Sequence, residues 1–253
     1  MKKEWATVQI EERGALCYVT LHRPEADNRI NVQMVRDLEE VCHHLDDDSP
    51  SSVVVLRGAG GNFTRGMDFS EFSLTRPPDI HGFNKWERSV VALERLKKVT
   101  IAQIEGACIG GGVQLALACD YRLAVQGAEL CLDEVKHGFL PGMATYRLAK
   151  YVGLGKAKYL MLTCKTLTAE EALEWGLVDR VCAPERLEEE LGKLIVEFLP
   201  VNGTVVALAR RLLNESYGAD YEHFLGSFLA AQARAIVSEP FVRHFQAALR
   251  GEG

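Results

Sequence analysis

The chain reads as an α/β protein with a helical C-terminal region, and three observations carry that expectation. Apolar runs of strand length alternate with amphipathic helices as far as Thr168, which predicts βαβ units and a parallel sheet. A triple glycine, Gly110 to Gly112, joins a strand-like run to a helix-like one. From Glu185 onward every segment has helical spacing, so the expected division is an α/β core over residues 1–190 and a helical region over 191–253.

Each element follows in order. "ATVQIEE" and "LCYVTLHR" alternate as strands around Arg13-Gly14, a hairpin signal. "NVQMVRDLEEVCHHLDDD" places Val32, Val35, Leu38, Val41 and Leu45 at helical spacing, with Asn31 as N-cap. "SVVVLRG" is a buried strand, followed by the loop "AGGNFTRGMDFSEF". The stretch 73–85, with Pro77-Pro78, reads as a loop, and "KWERSVVALERLKK" reads as a helix. "TIAQIEG" then gives a strand and "VQLALAC" a helix, with the glycines as the turn between them. Thr168 and Glu171 form a capping box that opens "TAEEALEWGL", and "DRVCA" is a last short strand. Four helical segments complete the chain: "RLEEELGKLIVEFL", "GTVVALARRLLNES", "YEHFLGSFLAAQARAIV" and "PFVRHFQAALRG". Their apolar residues call for a surface to bury against, either the core or another subunit.

Composition narrows the functional classes. With 253 residues, 47% of them hydrophobic, the chain can bury a full core. A net charge of −6 gives no chain-wide nucleic-acid footprint. No apolar run approaches the roughly 20 residues of a membrane span, and the charged start "MKKEWATVQIEE" lacks a signal-peptide core, so a soluble cytoplasmic protein is expected. Seven cysteines, odd in number and without C-x-x-C, read as buried thiols; neither a disulfide framework nor a metal site is expected.

Two glycine loops, "FTRGMDF" and "IGGGVQ", each follow a strand and could present backbone N–H groups at the carboxyl end of a parallel sheet. Converging N–H donors suit an oxyanion, whereas close packing of helix on strand is the plainer account of the glycines. Nucleotide motifs do not fit: Leu115 stands where G-x-G-x-x-G needs its last glycine, and "GLGKAK" lacks the Walker spacing.

At this point the chain resembles the crotonase (enoyl-CoA hydratase/isomerase) superfamily over essentially its whole length. "NFTRGMDFSEF" is similar to the family's F-x-x-G-x-D loop and "IEGACIGGGVQLALACDYRLA" to its G-x-x-x-G-G-G helix start. "LCLDEVKHGFLPGMATYRLAKYVG" resembles the acidic segment that follows, and "LTAEEALEWGLVDRVC" the A-x-x-A-x-x-x-G-L-V signature. The resemblance implies a crotonase-type spiral of βαβ units, assembled as a trimer or a pair of trimers. It implies a substrate carried as a coenzyme A or acyl-carrier-protein thioester, with no other cofactor, no nucleic acid and no membrane partner.

By the same resemblance, the N–H groups of Met67 and Gly111 form an oxyanion hole for a thioester carbonyl that becomes an enolate. Gly66, Gly110 and Gly112 let the substrate approach, and Asp68 supports its loop. Hydratases of the family carry two glutamates; here the corresponding residues are Gln114 and Glu134. Gln114 can hydrogen-bond a water or a substrate group but does not exchange a proton near neutral pH. Proton transfer by a single glutamate, as in enoyl-CoA isomerases, is therefore expected ahead of hydration. Decarboxylation or C–C bond formation on the enolate comes next, because "DEVKHGF" is similar to segments of carboxymethylproline synthases and polyketide-associated homologues. A non-catalytic binding subunit of the same fold is the alternative from another class. His137 reads as a substrate contact or as a packed or surface residue, and His81 as a loop residue that could reach an acyl group. Cys108 and Cys131 read as packing residues.

Overall fold

A computed structural model of the chain describes residues 4–73, 75, 77–199 and 203–250. The chain divides into two compact units, Met1–Leu199 and Pro200–Gly253.

The first unit is built on a six-stranded sheet. Strands β1 (Val8–Arg13) and β2 (Leu16–Leu21) form the expected hairpin, with Arg13 opposite Leu16. Strands β3 (Val53–Gly58), β4 (Val99–Ile104), β6 (Tyr121–Val125) and β9 (Arg180–Cys182) then add in parallel, giving the order β1-β2-β3-β4-β6-β9. All six residues of β4 are buried, including the polar Thr100 and Gln103, so "VTIAQI" does not alternate between an apolar and a solvated face. Helix α1 (Val32–Asp47) connects β2 to β3, with the Asn31 side chain accepting from the Met34 N–H at 2.8 Å. Helix α2 (Ile80–Glu94) connects β3 to β4.

The stretch expected as loop through residue 85 turns helical at Ile80. Asp79 caps it by accepting from the Gly82 N–H at 2.7 Å, and Trp86, Val90 and Leu93 carry its buried face. Proline punctuation at Pro77-Pro78 therefore marks the residues before a helix, not the length of a loop.

A second sheet is smaller and was not legible in the sequence. Strand β5 (Ala107–Ile109) lies parallel to β7 (Glu129–Cys131), and β7 pairs antiparallel with β8 (Leu167–Thr168). The triple glycine therefore follows β5, not β4, and opens helix α3 (Gly111–Ala118), every residue of which is buried. Helices α4 (Ala144–Val152) and α5 (Leu154–Thr163) come next. Helix α6 (Ala169–Trp175) opens on the Thr168–Glu171 capping box. Helix α7 (Leu187–Phe198) buries Leu187, Leu191 and Leu194, so it lies with the first unit and the division falls after Leu199 rather than near 190.

The second unit consists of α8 (Gly203–Glu215), α9 (Tyr221–Ala235) and α10 (Glu239–Leu249). None of their described residues is buried, and Leu213, Phe228, Leu229, Val242 and Phe245 are exposed. Among the described residues no single helix is long and apolar enough to cross a membrane. All seven cysteines are buried free thiols, spread over the first unit from β2 to β9, and burial pushes the Cys17 thiol up to about 12.

The loops that follow β2 and β3 meet at Asn28. This fully buried residue adopts a left-handed conformation (φ +54°) and donates to the carbonyls of Ala59 and Asn62, both at 2.7 Å. Its Oδ1 accepts from the Arg23 N–H at 3.0 Å. Asn28→Ala would strand these groups and place a Cβ-bearing residue without side-chain compensation in the left-handed region. We expect a loss of about 3 kcal/mol in urea unfolding, most of it from unsatisfied buried polar groups.

Candidate active site

The loop after β3 is held from both sides. Asn62 Oδ1 accepts from the Ala107 N–H at 2.9 Å, and the Thr64 hydroxyl donates to the Asn28 carbonyl at 2.7 Å. Isolated parallel bridges join Thr64 to Cys108 and Ile30 to Met67. In the second bridge Ile30 donates to the Gly66 carbonyl (2.8 Å) and accepts from the Asp68 N–H (2.9 Å). Those bonds use the groups on either side of Met67 and leave its own N–H on the opposite edge, without a partner among the described residues.

The second free amide belongs to the start of α3. The Gly110 N–H donates to the Cys131 carbonyl at 2.8 Å, and the first helical bond runs from the Gln114 N–H to the Gly110 carbonyl at 3.3 Å. Gly111 lies between them in the first turn, where N–H groups have no intrahelical acceptor, and its amide also has no partner among the described residues. Met67 and Gly111 line the same cavity of about 410 Å³. Two unsatisfied donors, one at a helix N-terminus, make a site for developing negative charge.

Glu134 faces this cavity from the 3-10 turn that follows β7. Gly110 has φ +55°, and a Cβ there would stand 2.8 Å from Glu134 Oε1, so the carboxyl lies directly against the glycine turn. Glu134 is only 4% exposed, and its Oε2 is buried without a hydrogen-bond partner. Burial in this setting pushes the carboxyl up to about 7, with the nearby Asp133 charge adding to the rise and a bond to its own backbone opposing it.

Gln114, one turn into α3, is 3% exposed and lines the same cavity. The Trp86 indole N–H donates to its Oε1 at 3.1 Å. Behind this pair, Arg147 on α4 binds Glu94 through two bonds of 3.2 and 2.9 Å and Glu87 at 3.5 Å, which ties α4 to α2. Glu87 Oε1 also accepts from the Met143 N–H at 2.9 Å. Gly142 (φ +45°) passes so close that a Cβ there would collide with both Glu87 Oε1 and Gln114 Oε1.

The remaining expected residues divide. Gly66 and Gly110 line the cavity, and so does His137, at the rim, 3.5 Å from Asp133. Gly112 instead packs under Thr64 and Cys108, where a Cβ would meet Thr64 Cγ2 at 2.7 Å. Asp68 turns away to pair with Arg23 at 2.9 Å and to cap Ser70, in keeping with loop support. His81 is exposed on the first turn of α2 and is not among the cavity's lining residues. Cys108 and Cys131 are buried in the second sheet. The sequence reading missed Trp86, Gly142 and the aromatic wall in which Phe139 meets Phe69 (5.3 Å) and Phe83 (6.4 Å). It also missed Arg29 and Arg65 at the cavity. Among the described residues no cluster of three or more His, Cys, Asp or Glu is arranged to hold a metal ion.

Residues 11–249 match the profile of the enoyl-CoA hydratase/isomerase family, and the chain belongs to that family, within the crotonase superfamily. A short-chain-enoyl-CoA hydratase of Clostridium acetobutylicum is 34% identical over 225 residues, covering 87% of this chain and 85% of that one. A crystal structure of an enoyl-CoA hydratase from Bacillus anthracis superposes with a TM-score of 0.85 at 26% identity, covering 97% of both chains. A protein from Thermobifida fusca YX, solved in complex with acetoacetyl-CoA, gives 0.81 at 27% identity and covers 91% of this chain and 95% of that one.

The raised carboxyl has a thermodynamic consequence. A folded-state value above the unfolded one contributes stability below about pH 4.5 that is lost as pH rises through about 7. Glu134→Gln removes the titration, so the variant should match the wild type near pH 4.5. At pH 8 it should exceed the wild type by on the order of 2–3 kcal/mol in urea unfolding. An unchanged difference between the two pH values would count against a buried, destabilised carboxylate.

Proposed function

We propose that the chain is an acyl-CoA enzyme in which the Met67 and Gly111 amides hold a thioester oxygen as an enolate and Glu134 carries the proton. The observation that carries this reading is the convergence of two unsatisfied N–H groups and one buried, unpaired carboxyl on a single cavity. The acetoacetyl-CoA complex of the Thermobifida fusca neighbour supports coenzyme A as the carrier.

Within that class, the favoured reaction is isomerisation of an enoyl thioester. The Glu134 carboxylate removes a proton from the acyl chain, and the electron pair of the broken C–H bond moves into the enolate held by the two amides. The same glutamic acid then returns the proton at a different carbon, so no atom is gained or lost. A carboxyl near pH 7 is suited to both halves of this exchange. Preorganised donors that strengthen as charge develops on oxygen contribute roughly 3–4 kcal/mol each. Hydration, the activity named for the Clostridium acetobutylicum relative, ranks behind because Gln114 offers no second proton-exchanging group to activate water. The reading extends to trimers or paired trimers, supported by the apolar side chains that α8 to α10 leave exposed.

The test is exchange of acyl-chain protons with deuterated solvent across a panel of enoyl-, acyl- and malonyl-CoA thioesters, read by mass spectrometry. Glu134→Gln should slow exchange and turnover by about 10²–10⁴-fold while thioester binding changes little. Wild-type exchange should rise with pH through about 7, as the carboxylate form appears. Gln114→Glu should be the milder change and should add crotonyl-CoA hydration by restoring a pair of carboxyl groups. Wild-type exchange rates in Glu134→Gln would remove Glu134 from the mechanism.

A further inference from the structure

The Trp86–Gln114 pair says something about the acyl group, beyond the reaction class. An indole N–H is a donor only, so the atom that Gln114 turns toward it must be the amide oxygen. The same oxygen is the atom that a Cβ at Gly142 would strike, so Oε1 is enclosed between Trp86 and the 141–143 backbone. The amide nitrogen is thereby left on the other side of the group. It makes no hydrogen bond among the described residues, although the side chain is 3% exposed and lines the cavity. Rotation of the amide would set an N–H against the indole N–H, which opposes rearrangement. The site therefore holds an oriented, nearly buried donor with nothing in the chain to receive it.

We infer that Gln114 donates to an acceptor-only oxygen on the acyl chain beyond the thioester, a keto or carboxylate oxygen, and that Trp86 is the positioning residue that aims it. This rests on the thioester reading of the site and names the substrate class within it. A purely hydrocarbon acyl chain packed against the Gln114 nitrogen would bury that donor without a partner. A keto or carboxylate oxygen satisfies it. The lining balances the negative charge of a carboxylate rather than opposing it: Gln114 is neutral, and Arg29 and Arg65 line the cavity together with Asp133 and Glu134, Arg65 pairing with Asp27 at 3.3 Å. A glutamate at position 114 would instead repel an acyl carboxylate.

Calorimetric titration of the full chain with butyryl-CoA, acetoacetyl-CoA and malonyl-CoA separates the possibilities. The first is the hydrocarbon reference, the second adds a keto oxygen and the third a carboxylate. The wild type should bind at least one oxygen-bearing thioester roughly tenfold more tightly than butyryl-CoA, and which one it prefers identifies the group. Gln114→Met, of similar size without the donor, should bring that ratio to about one, with butyryl-CoA bound more tightly because no donor is buried against it and the oxygen-bearing thioesters bound less tightly. Trp86→Phe keeps an aromatic ring and removes the N–H, and it should lower the ratio about threefold through loss of aim alone. Equal affinities in the wild type, or a ratio untouched by Gln114→Met, would overturn the inference, as would parallel loss of all three ligands in both variants. Proton exchange distinguishes the two levels. An intact ratio without exchange of any bound thioester would sink the proton-transfer reading alone, and exchange without a ratio would sink the donor assignment alone.

Discussion

Everything at this site depends on keeping two backbone amides unbonded. An unpartnered N–H at the edge of a core is unfavourable, and a chain free to relax would turn it toward a carbonyl or close a turn over it. Here relaxation is prevented because the neighbouring groups are already committed. Ile30 engages the residues on both sides of Met67, and the Gly110 amide and carbonyl are both engaged around Gly111. The buried Asn28 and Thr64 then bind the loops after β2 and β3 to each other, and Asn62 ties the second of these to Ala107. The two unbonded amides are what remains after the other bonds are made, and Asn28 and Thr64, which hold the loops in place, are not among the residues lining the cavity.

The same economy of partners governs the side chains. Glu134 is buried with one oxygen unsatisfied, and Gln114 is held by one end only. An ion pair at Glu134 would have stabilised the fold and pulled its carboxyl down, away from the range where proton exchange near neutrality is efficient. The buried Arg147 instead spends its charge on Glu94 and Glu87, joining α2 and α4.

Much of this was legible in the sequence, and the losses have physical causes. Long periodic segments such as "NVQMVRDLEEVCHHLDDD" and the Thr168–Glu171 box announce themselves through local spacing and capping. The residues of the two glycine loops and Glu134 came from the family resemblance, and the structure brings Met67, Gly111, Gln114 and Glu134 to one cavity. Strands β5, β7 and β8 are two or three residues long, too short for any period to emerge, and exist only because partners distant in sequence meet. Trp86 looked like one more apolar position on an amphipathic helix. Its meaning lies in a bond to a residue 28 positions away, and spacing along one helix carries no trace of that.

The seven cysteines offer a use unrelated to chemistry at the cavity. They sit in or beside β2, α1, β5, α3, β7, α5 and β9, all buried and none oxidised, so they sample the first unit almost from end to end. Burial disfavours thiolate formation at Cys17, Cys42 and Cys108, and an alkylating reagent in solution meets none of the seven until local structure opens. The chain thus carries its own set of timers for local opening. The order in which they mark under mild denaturant would rank the parts of the fold by how long each stays shut.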